Sequence, residues 1–395
     1  SYQDEMGQTK SRFTYTLDDD GNATITGCNN ITSSLVIPGE IDGHTVVAIG
    51  NNAFYDYYEK VKIQSVTIPD TVTTIGERAF FGSGLIAVNL PNGLTNIGRY
   101  AFSGCNFTEI TIPNSITNAF EPFAYMSSLK NVYFQKGITE IPGMIFHDCT
   151  GLESIEIPDT VETIDYSAFN GATGLKSVIL HEGLKTINNN AFNGCTELET
   201  LKIPDSVTLV DDQAFYACTK LASVKLSNDL ITMGTRAFGN CTALTEITIP
   251  AGLTSAGSPF KDCSNLKTIH FEEGITKIVG GLFSECTGIT EISIPDTVEI
   301  IDESAFSGAA NLVSVSIPDS VTEIQDSAFQ NCTKLTSIDI PDSVTLIDYQ
   351  AFYGCTKLAS VKLSNNLKTL GTRAFGNCTA LTEITIPAGL TSAGS

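Results

Sequence analysis

The sequence predicts a repeat solenoid of the α/β type, in which short strands, one per coil, stack into a parallel β-sheet on the concave face. Three observations carry this. The stretch Leu335-Thr-Ser-Ile338-Asp-Ile340-Pro341-Asp-Ser-Val344-Thr-Leu-Ile347-Asp-Tyr-Gln-Ala351-Phe352-Tyr-Gly-Cys355-Thr-Lys357 ends where Leu358 begins the same pattern again. Its corner position recurs at Pro38, Pro69, Pro91, Pro113, Gln135, Pro158, His181, Pro204, Ser227, Pro250, Glu272, Pro295, Pro318, Pro341, Ser364 and Pro387, in steps of 22 or 23 after a first step of 31. Within each unit the apolar period changes from two to three-and-four, as a strand followed by a tight turn requires. A fixed period of this length marks stacked units that cannot bury their apolar faces alone.

Residues 1–34 stand outside the repeat. Phe13-Thr-Tyr15-Thr-Leu17 and Ala23-Thr-Ile25-Thr alternate on either side of the turn Asp18-Asp-Asp-Gly21-Asn22, and so predict a β-hairpin. A solenoid end otherwise exposes its core, so this hairpin is expected to cap the array. The acidic turn lacks the further ligands and terminal bidentate Glu of an EF-hand loop. The chain starts at Ser1 instead of Met, which reads as a processed or trimmed start.

Residues 35–395 form about 16 units. Each opens with L-x-x-I-x-I, a β-branched alternating run suited to a short strand. Pro closes it, because Pro has no N–H to donate into a ladder. V-x-x-I is a second extended piece. A-F-x-x-C-x-x-L then has the spacing of one turn of 3₁₀ or α-helix. The long first unit adds Glu40-Ile-Asp-Gly-His44 and an aromatic-acidic insertion, Tyr55-Asp-Tyr-Tyr58-Glu59. Glu121-Pro122-Phe123 and Ser258-Pro259-Phe260 shorten the corner before Phe, with the turn re-fixed by the locked φ of Pro. Residues 219–258 and 356–395 differ only at Asp229/Asn366, Ile231/Lys368 and Met233/Leu370, a recent duplication. The second copy stops at Ser395 in mid-coil, where the first runs on into Pro259, so the natural protein is expected to continue.

Identical positions of stacked coils should lie about 4.8 Å apart, giving an arc of roughly 70 Å. Each unit points inward a set such as Leu198, Leu201, Ile203, Val207, Val210, Ala214 and Phe215. Burying them gains on the order of ten kcal/mol per coil, largely offset by chain entropy. One coil is marginal; the interfaces between coils stabilise the array.

The pattern L-x-x-I-x-I-P-D-x-V-x-x-I-x-x-x-A-F-x-x-C-T-x-L resembles the BspA-like, treponemal-type leucine-rich repeats, over residues 35–395. The segment from Tyr15 to Gly27, with Ile41-Asp-Gly-His44, looks like the cap that precedes such repeats. Cys gives way around Ser83, Ser127, Ala172 and Ala309, and five corners lack Pro. The resemblance implies a right-handed superhelix. It also implies a bacterial cell-surface or secreted (extracellular) protein, in some members an adhesin for host matrix proteins or other cells. It carries no catalytic site.

Composition narrows the function further. The net charge of −22, with 22 basic residues scattered among 44 acidic ones, argues against nucleic acid. No apolar run reaches the roughly 18 residues of a membrane span. Ten of the 11 cysteines (Cys105, Cys149, Cys195, Cys218, Cys241, Cys263, Cys286, Cys332, Cys355 and Cys378) fall three residues after the repeat Phe. That phase reads as a small buried side chain stacked on its equals. Parallel Cβ vectors also resist a disulfide dihedral. Cys28 has no partner in phase. His44, His147, His181 and His270 lie in different units without zinc-ligand spacing. No nucleophile elbow, dinucleotide or phosphate loop is present, so no enzyme activity, cofactor or metal is expected.

The residue after the middle Ile faces outward and changes from unit to unit. Both flanks of that row are plain polar residues, mostly small, but between Tyr133 and His270 it reads Tyr133, Glu156, Ile179, Lys202, Lys225, Thr248, His270. Varied chemistry with an exposed aromatic reads either as a contact patch or as ordinary solvated positions, since few surface residues carry binding energy. On the first reading Tyr133, Glu156, Ile179, Lys202, Lys225 and His270 are the candidate ligand contacts. The expected role is adhesion: binding a host or microbial surface protein, extracellular-matrix protein or glycan through the sheet face. The alternative is a spacer or stalk that presents another module and has no ligand of its own.

Overall fold

The computed structural model describes residues 12–29, 31–55 and 63–394, with backbone only at 2–3 and 9–10. The chain divides into two compact units, Ser1–Leu184 and Lys185–Ser395. Each is a parallel β-solenoid.

In the first unit Phe13–Leu17 pairs antiparallel with Ala23–Cys28, with a register shift between Thr14 and Tyr15. The acidic turn satisfies itself. Asp18 Oδ1 accepts the Asn22 N–H at 2.7 Å and the Asp20 N–H at 3.1 Å, while Oδ2 accepts Asn22 Nδ2 at 3.1 Å. These bonds, chiefly those from Asn22, hold its carboxyl below the usual range. Ala23–Cys28 then pairs parallel with His44–Ile49, so the hairpin runs into the ladder of coils. The loop of the first unit closes on it: Glu40–Ile41 pairs with the start of His44–Ile49, Tyr15 Oη donates to Asp42 Oδ2 at 2.9 Å, and His44 Nδ1 lies 2.8 Å from Gly21 O. Of the aromatic-acidic insertion only Tyr55 is described, against Phe81 at 5.3 Å between ring centroids; residues 56–62 lie outside the described residues.

Among the described residues each coil up to Ser360–Lys362 contributes a front strand before the corner, and the back strand after it is two residues long beyond His44–Ile49. In the first unit the back strands Thr74–Ile75, Asn96–Ile97 and Asn118–Ala119 continue the ladder from His44–Ile49. The front strands include Ser65–Thr67 with Ala87–Asn89, Glu109–Ile112 with Asn131–Phe134, and Ser154–Glu156 with Ser177–Ile179. The second unit repeats the scheme, with Thr200–Lys202 beside Ser223–Lys225, Glu246–Ile249 beside Thr268–Phe271, and Ser337–Asp339 beside Ser360–Lys362.

At two of the five corners without Pro the corner amide adds a bond to the ladder, and both paired strands are longer there. Where Gln135 and Glu272 replace Pro, their N–H groups bond Ile112 O at 2.9 Å and Ile249 O at 3.0 Å. The strands before them, Asn131–Phe134 and Thr268–Phe271, are four residues long, whereas three is the usual length. The turn itself survives without Pro: Val72 N bonds Pro69 O at 3.0 Å, and Ile138 N bonds Gln135 O at 3.4 Å.

The expected helical turn at A-F-x-x-C is absent. Among the described residues there is no helix of any kind, so the α/β assignment and the 3₁₀ segments give way to chains of turns. The backbone explains why. Gln213 and Ala217 both sit at positive φ, 54° and 57°, which interrupts the uniform negative φ of a helix. The N–H groups of Gln213, Phe215 and Ala217 reach the next coil, at Thr235 O, Ala237 O and Gly239 O, 2.7–2.8 Å away. Those between them, on Ala214, Tyr216 and Cys218, close local turns onto Asp211, Gln213 and Phe215. Half the amides thus form a third ladder between coils, offsetting the cost of about 1–2 kcal/mol per left-handed residue. Spacing of apolar residues cannot distinguish this from one helical turn.

Phe side chains fill the centre. In the second unit Phe192, Phe215 and Phe238 stack at 5.1 and 5.3 Å, nearly parallel. Around Phe260, beside the shortened corner at Pro259, the spacing opens to 6.0 and 6.2 Å. Pro fits there because the next coil's carbonyl is all that is needed: Phe238 N bonds Pro259 O and Phe102 N bonds Pro122 O, both at 2.9 Å. The phased thiols are buried and form no disulfide. Eight of the ten donate toward the Phe carbonyl one coil back, as Cys218 Sγ does to Phe192 O at 3.3 Å and Cys241 Sγ to Phe215 O at 3.3 Å. Cys28 is only half-buried.

Candidate functional site

The register of the front strands places the variable row as the alternation requires. In the first unit Tyr133 lies opposite Thr111, and Glu156 opposite Ile179. Tyr133 and Ile179 are 54% and 50% exposed, high values for large apolar side chains held on rigid strands. Tyr133 and Glu156 line one groove of about 570 Å³, together with Asn131, Ser154, Asp159 and His181. His181 Nε2 lies 2.9 Å from Glu156 Oε1. Ile179 shares the face but does not line the groove.

In the second unit Lys202 lies opposite Lys225. Like charges directly opposite repel, and Asp205 relieves this: its Oδ1 is 3.6 Å from Lys225 Nζ. The Asn228 backbone N–H, at 3.0 Å, and then Lys225 hold the Asp205 carboxyl below its usual range. His270 lies opposite Thr248, with Nε2 3.8 Å from Glu246 Oε2. The charged members of the row thus have opposite-charge neighbours, and exposed pairs of this kind contribute only ~0–1 kcal/mol.

His181 is the residue that strand alternation misses. It occupies a corner and not the outward row, and the only signal was its replacement of Pro. The back ladder holds a second group that the sequence reading passed over: Phe120 and Tyr166 are 47% and 41% exposed and line a groove of about 650 Å³ in the first unit. Among the described residues no three His, Cys, Asp or Glu side chains gather as metal ligands. No helix among them is long and apolar enough to cross a membrane.

Comparison with known proteins agrees with this architecture. The chain is similar to a leucine-rich repeat protein from Bacteroides ovatus, with 27% identity over 95% of this chain and 93% of that one, and a TM-score of 0.59. A leucine rich cell surface protein from Faecalibacterium prausnitzii is 26% identical over 96% of this chain and 98% of that one, with a TM-score of 0.43. No curated protein matches the chain. The family model described as the BspA type leucine rich repeat region (6 copies) matches three stretches, residues 47–176, 163–290 and 276–395. By that match, which spans most of its length, the chain belongs to the family of BspA-type leucine-rich repeat proteins.

Proposed function

We propose that the protein is an extracellular, bacterial cell-surface or secreted binding protein, an adhesin that engages a host or microbial surface protein or matrix protein through its front strands. The observation that carries this is the groove in the first unit where Tyr133 stands exposed beside the Glu156–His181 pair. An exposed aromatic on a rigid strand contributes contact area at little entropic cost, and adjacent charges supply orientation. Ile179 in the first unit, and Lys202, Lys225 and His270 in the second, hold the equivalent outward strand position and are each proposed as further contacts. Membership of the BspA type supports the surface location.

A second reading, a spacer or stalk without a ligand, draws on Ser293, Ser316 and Thr385, where the same row is plain and polar. One experiment separates the two. The full chain is immobilised and offered extracellular-matrix proteins and intact microbial cells, and any captured protein is re-measured against Y133A/E156A/H181A. Adhesion through this face predicts capture by the wild type and loss in the variant at unchanged thermal stability. Capture that survives in the variant would exclude the groove; no capture at all would favour the spacer.

A further inference from the structure

The back ladder of the first unit contains a second groove, unrelated to the front face and argued independently of it. One hydrogen-bond position defines its floor. Gly50, Gly76 and Gly98 donate to Ile25 O, Ile49 O and Ile75 O at 2.7–2.8 Å, and in the next coil Phe120 donates to Ile97 O at 3.2 Å. Three coils therefore present bare backbone, and the fourth raises a phenyl ring. The same bond in the second unit is made by Asp211, Gly234, Gly257, Asp302, Gln325, Asp348 and Gly371. Among the described residues Phe120 is the aromatic exception.

A second ring faces the same groove. Tyr166 lies over Gly143, where an added Cβ would sit 2.6 Å from Tyr166 Cε1. Between the rings and the floor runs a line of amides and hydroxyls. Asn118 Nδ2 donates to Asn96 Oδ1 at 2.7 Å, Asn96 Nδ2 donates to Thr95 Oγ1 at 3.2 Å, and Asn51 Oδ1 accepts Glu77 N at 2.8 Å. Both Asn118 amide hydrogens are engaged, to Asn96 and Thr117, which leaves its Oδ1 to accept from a ligand.

The charge pattern selects the ligand class. Arg99 is the groove's cation, and it is already committed: Nε lies 2.9 Å from Glu121 Oε2, and its guanidinium packs 4.7 Å from the Tyr100 ring and 5.5 Å from that of Phe120. Glu77 and Asp165 line the same groove. No excess positive charge remains for a sulfated, phosphorylated or nucleic-acid ligand. The floor's backbone donors all bond the neighbouring coil, so no strand edge is open to a peptide. What remains is two exposed aromatic planes and side-chain groups that donate and accept, repeated every coil at ~4.8 Å. Hydroxyls, which both donate and accept, match such groups, and the C–H faces of sugar rings pack on aromatic planes.

We propose that this groove binds a neutral linear oligosaccharide, stacked on Phe120 and Tyr166 and hydrogen-bonded by Asn96 and Asn118. The test is ligand-observed NMR and microarray binding of the full chain. The probes are cello-, xylo-, manno- and maltohexaose and poly-N-acetyllactosamine, with a sulfated glycosaminoglycan fragment and an unstructured peptide set alongside. The expected result is salt-insensitive binding of a neutral probe, weakened roughly tenfold or more by F120A and by Y166A, as loss of one stacking contact implies. G143A should weaken it also, by displacing the Tyr166 ring. Y133A/E156A on the front face should leave it unchanged, as should Y349A, the second unit's counterpart of Tyr166 without a partner Phe. Failure of every neutral probe, binding only of the sulfated or peptide probes, or full-strength binding by F120A and Y166A would each overturn the proposal.

Discussion

Replacing Phe215 by Ala probes the central stack most sharply. Its ring is fully buried and packed between Phe192 at 5.1 Å and Phe238 at 5.3 Å. Truncating a buried Phe costs ~3–5 kcal/mol. Close aromatic pairs contribute ~0.5–1.5 kcal/mol each beyond buried area, which places Phe215 at the upper end, about 4–5 kcal/mol. Phe260 supplies the internal comparison. It is equally buried, but its neighbours lie at 6.0 and 6.2 Å, so F260A should cost less, by about 1 kcal/mol. Because stability in a solenoid is a sum over neighbouring coils, the loss should be local. Native-state hydrogen exchange read by mass spectrometry resolves it: F215A should lose protection in the amides of 192–239, while those of Thr73 and Thr95 in the first unit keep theirs. A loss spread evenly over the chain, or equal costs at Phe215 and Phe260, would refute the reasoning.

Other consequences follow from single residues. Gln135→Pro should remove the Gln135 N to Ile112 O bond and cost about 1 kcal/mol in local exchange, with the rest of the ladder intact. Burial pushes the Cys105 and Cys286 thiols up to about 12, and raises Cys149, Cys218, Cys241 and Cys332 as well. At neutral pH a maleimide should therefore label the half-buried Cys28 before these six, which react only in denaturant, as peptide mapping will show. Asp205 and Asp342 have carboxyls held low, chiefly by the backbone N–H of Asn228 and Asn365 one coil on. A lowered folded pKa means that stability is present above the ordinary carboxylate range and lost as pH falls below it, through the folded values. Acid titration of D205N and D342N by circular dichroism should show less destabilisation between roughly pH 4 and 2 than in the wild type.

The sequence made the coil legible because its determinants are local and repeated. Leu, Ile and Phe alternate at fixed phase, and the structure buries them at that phase. The turn segment was not legible as such. Ala-Phe-x-x-Cys has the spacing of a helical turn, and only bonds to residues a coil away, such as Phe215 N to Ala237 O, decide for turns. The variable row was readable because side chains alternate along a strand, which located Tyr133 and Glu156. His181 and Phe120 were not readable, since one stands at a corner usually given to Pro and the other at a position the repeat mostly gives to Gly or a small polar residue. Their exposure depends on neighbours one or two coils distant. The binding proposed above rests on departures from the repeat more than on the repeat itself.

Hydroxyl-radical footprinting of the full chain with a captured protein partner tests that claim most directly. If binding occupies the departures on the front face, Tyr133 and His181 should lose labelling on complex formation while Tyr349 and Tyr216 keep theirs. Protection centred instead on the plain Ser and Thr positions of the row, with Tyr133 labelled as in the free protein, would contradict the account.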